Sequence, residues 1–76
     1  MNNERAVIIL IENELYKYIK EIRNRPNVKE VEKAISEFTE EFKKSVLKLY
    51  PVENIDELIE STVKRMDEYE ERNSDL

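Results

Sequence analysis

The sequence predicts an all-α fold, arranged as a small up-down-up bundle of three helices. Three apolar stripes repeat at the helical period, and a proline, Pro26 or Pro51, separates each stripe from the next. The 76 residues include no glycine, which disfavours the tight turns of a β-rich fold. Charged residues make up 41% of the chain, a fraction typical of long helices with solvated outer faces.

The first predicted helix covers about residues 4–24 and begins with the most apolar stretch of the chain. Residues 6–11 read Ala-Val-Ile-Ile-Leu-Ile, so apolar side chains project from every side of this helix. Asn2 or Asn3 is the expected N-cap. A buried strand is the alternative for residues 6–11, because short apolar runs are ambiguous. The predicted packing stripe has a 3-4-3-4 spacing and consists of Ile8, Ile11, Leu15, Tyr18 and Ile22, widened by Val7 and Ile19.

The second predicted helix covers about residues 28–49 and the third about residues 55–71, with residues 72–76 as a frayed tail. Each follows an asparagine, Asn27 or Asn54, that has a glutamate three residues later, which is a variant of the capping box. The second stripe consists of Val28, Val31, Ile35, Phe38, Phe42, Val46 and Leu49. The third stripe consists of Ile55, Leu58, Ile59, Val63, Met66 and Tyr69, with Thr62 tolerated among them.

Residues 1–76 are expected to form a single helical domain whose short connections make consecutive helices antiparallel neighbours. A domain of this size hides only about 60% of its unfolded surface, so it is often stabilised by disulfides, metals or oligomerisation. Because the chain has no cysteine and no histidine, oligomerisation or very regular helix packing remains as the expected means. The alternative arrangement is a hairpin of the first two helices that dimerises into a four-helix core.

The composition argues against an enzyme. The absence of histidine and cysteine removes the commonest general base, two strong nucleophiles and the commonest metal ligands. Neighbouring glutamates, such as those at positions 40–41 and 70–71, point about 100° apart on a helix, which is a poor arrangement for a metal ion. The sequence therefore predicts no catalytic residue, no cofactor and no metal site.

The net charge of −5 disfavours nucleic acid as a partner. A ribbon-helix-helix protein would need a polar strand where this chain has residues 6–11. In a helix-turn-helix protein, phosphates would be repelled by Asp56, Glu57 and Glu60 at the start of the third helix. The alternative function is nevertheless nucleic-acid binding or regulation for a virus or mobile element, since basic residues gather near both turns. They are Arg23, Arg25, Lys29 and Lys33 near the first turn, and Lys43, Lys44 and Lys48 near the second.

The predicted location is cytoplasmic, because no signal peptide is visible and the apolar run is far shorter than the about 20 residues of a membrane span. The predicted function is protein interaction or oligomerisation through the first helix. Its packing stripe leaves a surplus of apolar side chains, whose exposure costs about 25 cal/mol per Å². This surplus is expected to form the interface of a homodimer or higher oligomer, or to bind another protein, and it consists of Val7, Ile9, Leu10 and Tyr16.

Overall fold

The computed structural model describes residues 2–25 and 29–74, and these residues form three helices. The helix α1 spans residues 3–23, α2 spans Val31–Leu49 and α3 spans Ile55–Ser74. No strand occurs in the described residues, and residues 6–11 are helical. The prediction of an all-α protein with three helices is therefore confirmed, and the strand alternative for residues 6–11 is wrong.

One wide turn interrupts the regular geometry of α1. The helix is α-helical over Asn3–Leu10, π-helical over Ile11–Leu15 and α-helical again over Tyr16–Arg23. In the wide turn the backbone N–H of Tyr16 donates to the carbonyl of Ile11, five residues earlier instead of four. The helix begins as predicted at an asparagine cap, where the side chain of Asn2 accepts from the N–H of Glu4 at 2.9 Å.

The wide turn changes which α1 residues are buried. A five-residue hydrogen-bonded turn is wider than an α-helical turn, so residues four apart stay aligned through it. The predicted 3-4-3-4 stripe is therefore only partly correct, and two of its members, Ile8 and Tyr18, are only partly buried. The ring of Tyr18 stacks on that of Phe38 in α2, with ring centres 3.9 Å apart. The buried residues of α1 include a series with a spacing of four, Val7, Ile11, Leu15 and Ile19, together with Ala6, Tyr16 and Ile22.

The helix α2 begins at Val31, three residues later than predicted. Its first backbone bond runs from the N–H of Ala34 to the carbonyl of Glu30 at 3.0 Å, while Glu30 itself has non-helical backbone angles. The predicted cap Asn27 and the predicted stripe residue Val28 lie outside the described residues.

At the C-terminal end of α2, one residue that was predicted to be in the core is exposed. Leu49 is 73% exposed, whereas the neighbouring Leu47 and Tyr50 pack against the core. The chain leaves the helix at Tyr50, so the core face of the last turn is completed by Tyr50 and not by Leu49. The prediction that Leu49 is buried is therefore wrong.

The helix α3 extends to Ser74, three residues beyond the predicted end, so Arg72 and Asn73 are helical and do not form a frayed tail. Its first turn closes where the N–H of Leu58 donates to the carbonyl of Asn54 at 3.0 Å. Tyr69, which was predicted to complete the stripe, is 61% exposed. The α3 residues that are buried are Ile55, Leu58 and Thr62.

The core is built around α1. This helix packs against both α2 and α3, whereas α2 and α3 make few contacts with each other. The shortest dimension of the molecule is 16 Å, which corresponds to two layers of helices at the usual separation of about 8–10 Å. Because α1 is covered on two sides, it needs apolar residues over a wider arc than a surface helix. The buried core cluster takes Val7, Ile11, Leu15 and Ile19 from α1, Phe42 and Val46 from α2, and Ile55 and Leu58 from α3.

Candidate protein-binding groove

The four predicted interface residues do not share one exposed surface. Val7 is completely buried and Tyr16 is 5% exposed within the single chain, so neither offers surface to another molecule. Leu10 is partly buried against the core, and only Ile9, at 45% exposure, projects clearly into solvent. A single exposed apolar residue is common on folded proteins. An interface through α1 stays a prediction, and the residues still available for it are Ile9 and Leu10.

Tyr16 joins α1 to α3 through a small polar cluster. Its hydroxyl donates to Oδ1 of Asp67 at 2.8 Å, and Nη1 of Arg23 lies 3.0 Å from the same oxygen. Burial of the phenol raises the pKa of Tyr16 to about 12, with the hydrogen bond to Asp67 and the negative charges of Asp67 and Glu70 acting in the same direction. Arg23 opposes this shift. Tyr16 is therefore a neutral hydrogen-bond donor at ordinary pH and is no candidate for a catalytic base.

Two exposed ion pairs lie along the same seam between α1 and α3. Nη2 of Arg65 lies 2.9 Å from Oε2 of Glu12, and Nζ of Lys20 lies 2.9 Å from Oε1 of Glu70. Pairs of this kind each contribute at most about 1 kcal/mol to stability. Together with the Tyr16 cluster they align α3 along α1.

An open groove lies between α2 and α3, with a volume of about 510 Å³. It exists because these two helices both pack on α1 and make few contacts with each other. The residues Ile35, Ile59 and Val63, which the sequence placed in the closed core, are only partly buried and line this groove. The apolar side chains that line the groove are Ile19 from α1, Ile35 from α2, and Ile59 and Val63 from α3.

The polar lining of the groove is acidic. Four carboxylates and two basic groups contribute to it, which leaves two negative charges in excess. One carboxylate, Asp67, is already paired with Arg23. All four carboxylates belong to α3, so negative charge follows the α3 edge of the groove. The charged lining residues are Glu60, Asp67, Glu68 and Glu71 on the acidic side, with Arg23 and Lys64 as the basic ones.

One bridge ties α2 to the first turn of α3. Nζ of Lys43 lies 2.8 Å from Oδ1 of Asp56 in α3 and 2.9 Å from Oε1 of Glu40 in its own helix. The hydrogen bond to Asp56, followed by that to Glu40, raises the pKa of the Lys43 ammonium. The groove lining begins beyond this bridge, at Thr39 in α2 and Ile59 in α3.

No protein family, curated protein or solved structure matches this sequence. In the part of the chain that the structure describes, no three acidic side chains come together as a metal-ion site would require. None of the helices over those residues is long and apolar enough to cross a membrane. The function is therefore inferred from the groove and its charges.

Proposed function

We propose that this chain is a non-enzymatic protein-interaction module that binds a segment of another protein in the groove between α2 and α3. The observation that carries the proposal is the open apolar floor supplied by all three helices. Apolar grooves between helices are a common docking site for an amphipathic helix of a partner protein. Partly buried aliphatic side chains in such a groove gain free energy when a partner removes them from water.

The proposal includes an up-down-up order of the three helices. Contacts between α1 and α3 support it, because their residue numbers rise together, from Glu12–Arg65 to Lys20–Glu70, as in helices that run in the same direction. In that order α2 and α3 lie side by side over α1, with the groove between them.

Self-association through α1 is a second proposal. It rests on the exposed side chain of Ile9, with Leu10 beside it only partly covered. In this case a second copy of the chain would bury Ile9, and the oligomer would be a homodimer or larger.

The groove proposal is tested by capture from native lysate with three forms of the protein, followed by mass spectrometry. Val63→Lys places a charge on the groove floor, and its long side chain can still reach solvent, so folding is expected to survive. The matched control is Ile9→Lys on the exposed face of α1. The proteins retained by the native chain are expected to be retained equally by Ile9→Lys. The amount retained by Val63→Lys is expected to be lower by about tenfold or more. Loss with Ile9→Lys alone would place the binding surface on α1 and contradict the groove proposal.

Nucleic-acid binding is the function that the charge pairing disfavours. Most basic residues near the two turns lie beside a carboxylate, so they offer little free positive charge to phosphates. We expect no mobility shift of duplex DNA or RNA at near-physiological salt. Micromolar binding that weakens steeply with added salt would contradict this prediction. The pairs are Arg23 with Asp67, Lys33 with Glu30, Lys43 with Glu40 and Asp56, and Lys44 with Glu41.

A further inference from the structure

We infer that the occupant of the groove is a cationic amphipathic helix of another protein, about twelve residues long. The inference rests on the proposed function and adds the length, the conformation and the charge of the partner segment. Its apolar stripe lies on the aliphatic floor, and its lysine or arginine residues face the acidic edge formed by α3.

The length follows from the groove. The α3 side of the lining runs from Ile59 to Glu71. At 1.5 Å per residue this is about 18 Å, which matches a partner helix of about twelve residues, or a little more than three turns. The α2 side contributes Ile35 and Thr39, which lie one turn apart.

The conformation follows from what the groove offers. An extended peptide binds well where a sheet edge supplies free backbone donors and acceptors, and the described residues contain no strand. The groove is instead bordered by two helices whose backbone groups are largely used within each helix. A helix of the partner protein, laid between α2 and α3 at the usual separation of about 8–10 Å, covers the apolar floor and needs no backbone hydrogen bonds from α2 or α3.

The charge follows from the α3 edge. Glu60 and Glu68 are exposed, line the groove and form no ion pair in the described part of the chain. Lys64 is the basic residue of α3 in the lining. The excess of negative charge along this edge favours a partner with positive charges, and the net charge of −5 on the whole chain steers such a partner towards it.

A second copy of this chain fits the groove less well. Among the residues that the structure describes, the exposed large apolar ones are Ile9, Leu49 and Tyr69, and each belongs to a different helix. They do not form the continuous stripe that would fill an apolar floor. Two chains that each carry a net charge of −5 also repel each other.

The test uses the full chain and three synthetic peptides of about fourteen residues. The first has a leucine stripe flanked by lysines, the second has glutamate in place of every lysine, and the third is a scrambled form of the first. Affinity is measured by calorimetry, and the binding surface is mapped by amide chemical shifts. We expect the lysine peptide to bind at least about tenfold more tightly than both others, with shifts at the groove residues and a preference that weakens as salt rises.

Two charge reversals identify the edge that is recognised. Glu68→Lys is expected to lower the affinity of the lysine peptide several-fold and to raise the affinity of the glutamate peptide. The matched control is Glu37→Lys, an exposed α2 residue that lies about 200° around the helix from Ile35 and from Thr39. The control is expected to leave both affinities within about twofold, because its charge change is the same but lies away from the groove.

Failure of the inference can be told apart from failure of the proposed function. The cationic helix is overturned, and the groove proposal stays intact, if the lysine and glutamate peptides bind the groove with equal affinity. The same conclusion follows if neither peptide binds while capture of the lysate partner still depends on Val63. Peptide shifts outside the groove, together with a lysate partner insensitive to Val63→Lys, overturn both. A dimer in sedimentation that Val63→Lys dissociates makes a second copy the occupant, which also overturns the inference.

Discussion

Val7→Asp is expected to abolish folding, whereas Ile9→Asp, two residues along the same helix, is expected to leave the protein folded. Val7 is completely buried in the core cluster, so the variant places a carboxylate in an apolar interior with no partner. Ile9 is 45% exposed, so the same carboxylate stays in water. Ile9→Asp changes only the side chain, so the backbone carbonyl at position 9 can still accept from the side chain of Asn13, as it does at 2.9 Å in the native chain.

The expected losses differ by several kcal/mol. Val7→Asp is expected to lower the free energy of unfolding by more than about 4 kcal/mol, which is comparable with the whole stability of a small domain. Ile9→Asp is expected to lower it by less than about 1 kcal/mol. Urea denaturation followed by circular dichroism measures both values. Similar losses for the two variants would contradict the placement of Val7 in the core and Ile9 outside it.

The Ile9→Asp variant, compared with the native protein, also tests self-association through α1. If Ile9 closes a homodimer, Ile9→Asp converts a dimer into a monomer in sedimentation and also lowers stability, since buried apolar area is lost. If the chain is a monomer, both the native protein and Ile9→Asp sediment as monomers with nearly equal stability. The second result would remove the support for an α1 interface and leave the groove as the docking surface.

The number and limits of the helices were largely predictable, because they depend on local signals. In the sequence Pro26 and Pro51 lie between the helices, and Asn2 and Asn54 lie at helix starts, as capping preferences predict. The start of α2 was predicted three residues too early because the capping pattern at Asn27 was taken as the helix start. A local pattern shows that a helix can begin there, but the tertiary packing decides which turn forms.

The surplus of apolar residues on α1 was predicted to contact a second molecule, whereas Val7 and Tyr16 are buried within the single chain. Periodicity shows which faces are apolar and does not show how many helices cover them. Here α2 and α3 both pack on α1, so much of the surplus is buried within one chain. The spacing of four from Val7 through Ile11 and Leu15 to Ile19 was the available signal for the wide turn.

The groove was not predictable from the stripes alone. Ile35, Ile59 and Val63 follow the helical period as closed-core residues do, and they are only partly buried because α2 and α3 make few contacts with each other. How closely two helices approach depends on side-chain packing and not on the sequence spacing alone. The acidic residues of α3 were visible in the sequence, but their position along an apolar groove was not.

Tyr16 is expected to make the protein lose stability as pH rises from about 10 to about 12. The phenol has an ordinary pKa of 10.0 and a pKa of about 12 in the folded chain, so the folded state holds its proton more tightly. Its contribution is therefore fully present below pH 10 and is lost as pH rises through the folded pKa. A difference of this size corresponds to about 2–3 kcal/mol.

The measurement compares the native chain with Tyr16→Phe in urea denaturation from about pH 9 to about pH 12. The variant lacks the titrating phenol but keeps the ring, and Asp67 keeps its pair with Arg23. At about pH 9 the native chain is expected to be more stable by about 1 kcal/mol, because it has the hydrogen bond to Asp67. This advantage is expected to disappear and reverse towards pH 12. The two proteins share every other titratable group, so the difference in stability between them reports Tyr16.

Tyr69→Phe is the matched control, because Tyr69 is 61% exposed and has no described hydrogen bond across the helices. Its stability difference from the native chain is expected to stay flat over the same range of pH. A parallel loss of stability in the native chain and in Tyr16→Phe would show that the phenol is free in solution and not buried against Asp67. Tyr16 would then be available as surface, and the interface first predicted for α1 would regain one of its aromatic residues. A native advantage that shrinks with pH instead places Tyr16 in the seam between α1 and α3, which holds α3 in position as one wall of the groove.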